Sequence, residues 1–236
     1  MVVLITGASR GIGRALAAAA ARECHDVVVN YLKNVAQANA LVSELAGCSS
    51  RVIAIQADVT VADEARRLVE TTVERLGRID CVVNNAGSGA VIPLDELDEA
   101  TFARTLQVNL ISAFLVSQAA WPHMKANGGR LVFLSSGAAR TGGGLSAAYA
   151  ASKSGIEGLM HYYATTLRPY RITSNAIAPA FVESDLMNLM PHRTTTGLPL
   201  GRLGRVEEVW PALRMIIETE YLTGQTIHID AGRYMT

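Results

Sequence analysis

The chain has 236 residues, half of them hydrophobic, which suits one domain with a full core. Its 21 basic and 21 acidic residues cancel without a run of like charge, so nucleic acid finds no electrostatic footprint. No apolar run reaches the roughly 20 residues of a membrane span, and the amino terminus carries no charged leader, so the expected place is the cytosol. Cys24, Cys48 and Cys81 stand far apart without a C-x-x-C pair, in keeping with reduced thiols and no metal site.

Val2 to Ile5 is an apolar run without alternation, which predicts a parallel strand covered on both faces. It runs into Thr6-Gly7-Ala8-Ser9-Arg10-Gly11-Ile12-Gly13, and Arg14 to Glu23 reads as an Ala-rich helix. Glycines between a strand and a helix let backbone approach a pyrophosphate, whose charge meets the N–H groups at the helix start. Gly7, Ser9, Arg10, Gly11, Ile12 and Gly13 are the candidate contacts, with a plain turn as the alternative. Val27 to Tyr31 is the second strand. Its end lacks the carboxylate that grips the ribose of NAD and offers Asn30, Tyr31 and Lys33 instead. Arg10 in the glycine turn reaches the same place, so the expected cofactor is NADP, its 2′-phosphate met by cations. Ordinary surface cations are the other reading of Arg10 and Lys33.

Residues 35–46 read as helix and Val52 to Gln56 as a strand ending at Asp58-Val59. That carboxylate either accepts from an adenine amino group or caps the helix over 61–76, where Thr60 and Asp63 also offer capping oxygens. Ile79 to Val83 is the next strand, followed by Asn84-Asn85-Ala86-Gly87, a loop held open beside a nucleotide or a plain turn. A mostly apolar helix from Phe102 to Trp121 contains Asn109, a buried amide that is either a satisfied structural group or part of a proton path. Arg130 to Leu134 is a strand that delivers Ser135 and Ser136 at its carboxyl end, where ligands collect in an open parallel sheet.

A helix over 147–168 puts Tyr149 and Lys153 one turn apart on one face. A phenol with a pKa of roughly 10 needs a neighbouring ammonium to titrate nearer neutrality, and Ser136 would hold a substrate oxygen against it. Ile172 to Ala178 is the strand that Pro179 stops. Residues 183–204 read as a cover over the site. A helix over 206–218, in which Pro211 marks a kink or the true start, and a strand over Thr226 to Ile229 end the chain. Strands alternating with helices throughout define an α/β protein with one doubly wound parallel sheet.

On Thr6-Gly7-x-x-x-Gly11-x-Gly13, Asp58-Val59, Asn84-Asn85-Ala86-Gly87, Asn109, Ser136, Tyr149-x-x-x-Lys153, Asn175-Ala176-Ile177-Ala178-Pro179 and Thr223-Gly224-Gln225, the chain resembles the short-chain dehydrogenase/reductase family. The nearest pattern is that of its bacterial 3-oxoacyl-acyl-carrier-protein reductases. The resemblance implies a Rossmann-type sheet of about seven strands with helices on both faces, an NAD or NADP cofactor across the carboxyl edge, and a homotetramer. It makes Tyr149 the acid that protonates a carbonyl oxygen held by Ser136. Lys153 would bind the nicotinamide ribose and lower the phenol pKa, and Asn109 would keep a water in line with Lys153. Cofactor contacts would include Asp58, Val59, Asn85, Ala86, Gly87, Pro179 and Val182.

Four departures stand out: Ala180 where glycine is usual, Ser184 for threonine, Asp230-Ala231-Gly232 for a double glycine, and Asn127 and Tyr170 at basic carrier-protein contacts beside the entrance. Lys125, Arg168 and Arg171 are close in sequence to the last pair. The expected reaction is NADPH-dependent reduction of a 3-oxoacyl thioester. The alternatives are another small ketone, alcohol or sugar, or a non-catalytic nucleotide-binding protein.

Overall fold

The apolar runs become the strands of one sheet, β1 (Val2–Ile5), β2 (Asp26–Tyr31), β3 (Val52–Gln56), β4 (Cys81–Asn84), β5 (Gly129–Leu134), β6 (Ile172–Pro179) and β7 (Thr226–Ile229). They belong to a computed structural model that describes residues 1–184, 187–189, 198 and 200–233. All neighbours pair in parallel, in the order β3-β2-β1-β4-β5-β6-β7. The doubly wound α/β sheet of seven strands expected above is the one observed. The order reverses between β1 and β4, and a parallel sheet opens a crevice at the carboxyl ends of such strands.

The helices are α1 (Gly11–Arg22), α2 (Val35–Glu44), α3 (Ala62–Leu76), α4 (Glu99–Leu106), α5 (Ser112–Met124), α6 (Ala138–Thr141), α7 (Ala147–Thr166) and α8 (Trp210–Glu218). Alternate residues of β1 serve opposite layers: Val3 and Ile5 pack with Leu16, Leu41 and Leu213 of α1, α2 and α8. Val2 and Leu4 pack with Leu68, Val116 and Ile156 of α3, α5 and α7. Both faces are covered, which is why the strand sequences are continuous apolar runs rather than alternating ones.

Where boundaries differ from expectation, polar groups decide them. The strand expected over 79–83 starts at Cys81, because the Asp80 carboxylate turns aside to accept the Val2 N–H at 2.7 Å. Pro179 does not stop β6 but pairs with Ile229. The missing N–H of Pro179 falls on the side of β5, which has already ended at Leu134 opposite Ile177, so no acceptor is lost. The helix expected over 102–121 is interrupted by a π turn, Gln107–Ile111, in which Ser112 N–H reaches back to Gln107 O. Pro211 lies in the first turn of α8 after a 3₁₀ turn, Val206–Val209, so it marks the true start. Of the expected cover, 185, 186, 190–197 and 199 lie outside the described residues. Its flanks are joined by a bridge between Val182 and Gly204. No helix among the described residues is long and apolar enough to cross a membrane.

Candidate active site

A cleft of about 1460 Å³ runs along the carboxyl edge of the sheet. It exceeds the upper end of the usual single-ligand range, roughly 300–1,000 Å³, and so has room for a dinucleotide and a second small molecule. Gly7, Ser9, Arg10, Gly11, Ile12, Gly13, Asn30, Asp58, Val59, Asn85, Ala86, Gly87, Ser136, Tyr149, Lys153, Pro179 and Val182 all line it. Asn109 does not.

At one end, the glycine turn is built by close approach. Gly7 has φ +62°, and a Cβ there would lie 3.1 Å from Ala86 Cα. Thr6 ties the turn to β4, its hydroxyl oxygen accepting the N–H groups of Asn85 at 3.0 Å and Ala86 at 2.9 Å. The Asn85 amide donates to Thr6 O and Gly7 O at 2.8 and 3.2 Å. Asn85 thus holds the turn's shape from below, a bracing role that the sequence reading did not separate from cofactor contact. α1 starts at Gly11 with no side-chain cap and no acid in its first turn. Its first N–H groups therefore lack side-chain partners at the cleft, the arrangement that suits a phosphate.

Beside this turn, two side chains are already engaged within the fold. Asn30 was expected to meet the adenosine ribose, but its amide is spent on the fold: Oδ1 accepts from Gly7 N–H at 3.1 Å and Nδ2 donates to Ile55 O and Ala57 O at 3.4 and 3.2 Å. It is 2% exposed. Arg10, Lys33 and Asn34 beside it are exposed and line the cleft. Asp58 does not cap α3; its Oδ1 closes a short turn by accepting the N–H and hydroxyl of Thr60 at 2.9 and 2.6 Å.

At the other end, α7 is capped by Ser146, whose hydroxyl accepts the Tyr149 N–H at 3.2 Å and so fixes Tyr149 in the first turn. Tyr149 and Lys153 are each 6% exposed. The Tyr149 phenol lies beside the Ser136 hydroxyl, and Ser136 Oγ accepts from Ala138 N–H at 3.2 Å. Lys153 Nζ donates to Leu134 O at 2.6 Å and lies 5.6 Å from the Tyr149 ring centre.

The electrostatics differ from the sequence expectation. Burial pushes the Tyr149 phenol above its ordinary 10, with the Ser136 bond pulling the other way. Burial likewise brings the Lys153 ammonium down to about 8. The ammonium is turned to the Leu134 carbonyl rather than to the phenol, so in this structure it does not draw the phenol downward.

This has a consequence for stability. The folded protein gives up the Lys153 proton near pH 8, whereas the unfolded chain holds it to about pH 10.4. Between those values the unfolded state binds more protons, so stability rises with pH, and the raised tyrosines titrate above the window. From about pH 7.5 to about 9.5, wild type is expected to gain roughly 1–2 kcal/mol relative to Lys153→Met. Denaturant unfolding at both pH values checks this, and parallel pH profiles for the two proteins would contradict it.

Asn109 is fully buried behind the cleft wall. Its Oδ1 accepts from Ser88 N–H at 2.8 Å, and Nδ2 donates to Ser88 O and Ser152 Oγ at 2.9 and 3.0 Å. The side chain is therefore committed to joining the loop after β4 to α7. Any water it keeps must use backbone, and a π turn leaves a main-chain carbonyl over.

Sequence reasoning missed Ser88, Arg104, Gln107, Phe181 and Arg233 in the lining of this cleft and Ser152 behind it. Ala180 needs no special backbone; the left-handed residue is Phe181, φ 54°, whose ring lies 4.6 Å from the Arg233 guanidinium. Of the positions expected at carrier-protein contacts, 125–127 and 168–171 flank the amino ends of β5 and β6, whereas Ser136 and Pro179 mark their carboxyl ends. There Lys125 lies over the Trp121 and Tyr170 rings, 4.4 and 5.4 Å from their centres. Within one protomer these residues are not beside the cleft.

Residues 1–194 match the family model described as short chain dehydrogenase. Among curated relatives, a 3-oxoacyl-[acyl-carrier-protein] reductase of Synechocystis sp. is 37% identical, over 99% of this chain and 97% of its own. One from Staphylococcus aureus is 35% identical over 98% and 97%. A hydroxynaphthalene reductase-like protein of Metarhizium guizhouense is 34% identical over 98% and 94%. Among solved structures, a blue fluorescent protein from a metagenomic library in complex with NADPH superposes with TM-score 0.92 at 31% identity, over 99% of this chain and 98% of its own. A Serratia marcescens short-chain dehydrogenase/reductase variant gives 0.91 at 32%, over 98% and 96%.

Proposed function

The chain belongs to the short-chain dehydrogenases and is by that membership an oxidoreductase, and on this premise we propose that it uses NADPH to reduce a 3-oxoacyl thioester to the 3-hydroxy product. The observation that carries the reading is the buried Tyr149 phenol beside the half-buried Ser136 hydroxyl, with Lys153 one helical rung away, in the same cleft as the glycine turn.

The residues present fit a dinucleotide. The N–H groups at the start of α1 meet the pyrophosphate, and Arg10 and Lys33 meet a 2′-phosphate where no carboxylate stands to accept a bare ribose. Once bound, the nicotinamide supplies the hydride. A phenol held above its ordinary pKa stays protonated at neutral pH, which suits a proton donor to a carbonyl oxygen. Ser136 would hold that oxygen, and Lys153, with a pKa of about 8, is matched to restoring the proton. Asn109 fixes the wall behind them.

The thioester and its carrier protein are inferred from the relatives, since the basic residues expected to dock a carrier lie at the far end of the sheet. The same reading makes the protein one domain with residues 183–204 as its cover, cytoplasmic, and tetrameric through the apolar faces of α4, α5 and α7. Exposed Ile111, Phe114 and Tyr162 on that side support the assembly. A second reading, reduction of an aromatic ketone, is favoured by the Phe181 ring under Arg233 at the cleft and by the hydroxynaphthalene reductase-like relative.

NADPH consumption with an acetoacetyl thioester beside a panel of cyclic and aromatic ketones tests the assignment. The thioester is expected to give the highest kcat/KM, and a clear preference for an aromatic ketone would replace the first reading with the second. NADPH is expected to be preferred over NADH. Arg10→Ala should lower kcat/KM for NADPH by about 10- to 100-fold and leave NADH nearly unchanged, the worth of one charge-assisted contact. An equal loss with both cofactors would remove Arg10 from phosphate recognition.

A further inference from the structure

We propose that Glu157 is a positioning residue for the Ser136–Tyr149 pair, acting through Ser135; the inference rests on the assignment of that pair to proton transfer. Tyr149, Lys153 and Glu157 occupy three successive rungs of one face of α7. Each rung engages one of three consecutive residues at the end of β5. Lys153 donates to Leu134 O at 2.6 Å, the Ser135 hydroxyl donates to Glu157 Oε1 at 2.9 Å, and the Tyr149 phenol lies beside Ser136. Helix and strand end are thereby locked in register at the point where two hydroxyls must share one substrate oxygen.

The carboxylate has a second hold. Glu157 Oε2 is 3.8 Å from Arg140 Nε on α6, the short helix that begins two residues after Ser136. Beside it, Ser154 Oγ donates to Ala139 O at 2.6 Å. Ser135 itself is 4% exposed, and its N–H is bound to Ile177 O at 2.8 Å, so the peptide leading to Ser136 is fixed from β6 on one side and from α7 on the other. The Glu157 side chain is only 13% exposed. A carboxylate so covered is costly to keep where an apolar residue would pack, which fits a role in geometry rather than in stability.

Glu157→Leu removes both holds, and Ser135→Ala removes the hydroxyl alone. Both are expected to lower kcat by about 10- to 100-fold, the cost of a displacement of about 1 Å at reacting groups, with KM for NADPH unchanged. Glu157→Gln keeps an oxygen acceptor for Ser135 and should stay within about threefold of wild type. The double variant Ser135→Ala/Glu157→Leu should be no slower than the slower single one, because both act on one bond. The inference is overturned if Glu157→Leu turns over at the wild-type rate, if the two losses multiply, or if Glu157→Gln is as slow as the leucine variant. Should the leucine variant not fold, Ser135→Ala carries the same comparison. Crystal structures of the variants decide the matter even if wild type reduces none of the ketones tried, an outcome that would count against the proposed function alone. The Ser136 and Tyr149 hydroxyls are expected to be displaced from each other in Glu157→Leu and Ser135→Ala, and wild-type placement of the two in both variants would end the proposal.

Discussion

Tyr149→Phe is expected to lower kcat by about 1,000-fold or more while leaving NADPH affinity and melting temperature close to wild type. The substitution removes one oxygen from a ring that is 6% exposed and set by the Ser146 cap at the start of α7, so the remaining atoms keep their place. What is lost is the proton that a buried phenol holds through neutral pH. Ser136 retains its bond from Ala138 N–H, so the partner hydroxyl is not left without support. NADPH fluorescence titration and steady-state kinetics on the best ketone separate the two quantities. A kcat within tenfold of wild type would take the phenol out of the mechanism.

Gly13→Ala should be nearly as damaging, by a different route. A Cβ at Gly13 would lie 2.4 Å from Asn85 Nδ2, 2.9 Å from Gly7 O and 3.0 Å from Ala8 Cα. Two of those atoms are backbone, and the third belongs to an amide already bonded to Thr6 O and Gly7 O, so no rotamer change makes room. The turn must open instead, which carries the α1 N–H groups away from their positions at the cleft. A destabilisation of about 1–3 kcal/mol is expected, with NADPH binding weakened by tenfold or more. Calorimetric melting and the same fluorescence titration measure both. Wild-type values in the two assays would mean that α1 and the end of β4 do not meet as tightly as described.

The sheet was legible because most strands are apolar runs that end at an amide or a hydroxyl, and because the helices between them keep their apolar faces at helical spacing. The cofactor cleft was legible for the same reason: Gly7, Gly11 and Gly13 fall at a strand–helix junction, where few other roles need them. What the sequence could not reveal was which polar groups are already spent. Asn30, Asn85 and Asn109 carry the residue types that bind ligands, yet each has its amide committed to backbone or serine partners far away in sequence. The phenol–ammonium pair was read from spacing alone. Spacing gives the shared face but not the burial that raises one pKa and lowers the other, nor the Leu134 carbonyl that draws the ammonium aside. The π turn at Gln107–Ile111 was hidden because nothing local marks it; the partners of its Asn109, Ser88 and Ser152, are far away in sequence. Nor could the sequence reveal that 168–171 lie a full strand length from the cleft of their own protomer.

The central claim is that this cleft delivers hydride from NADPH to a carbonyl carbon while Tyr149 supplies the proton. A single-turnover reaction with NADPH deuterated at the transferring position and an acetoacetyl thioester, read by mass spectrometry, tests it most directly. One deuterium on the carbon bearing the new hydroxyl in wild type, and none within the same time in Tyr149→Phe, is the predicted result. Product without deuterium, or equal labelling by both proteins, would contradict it.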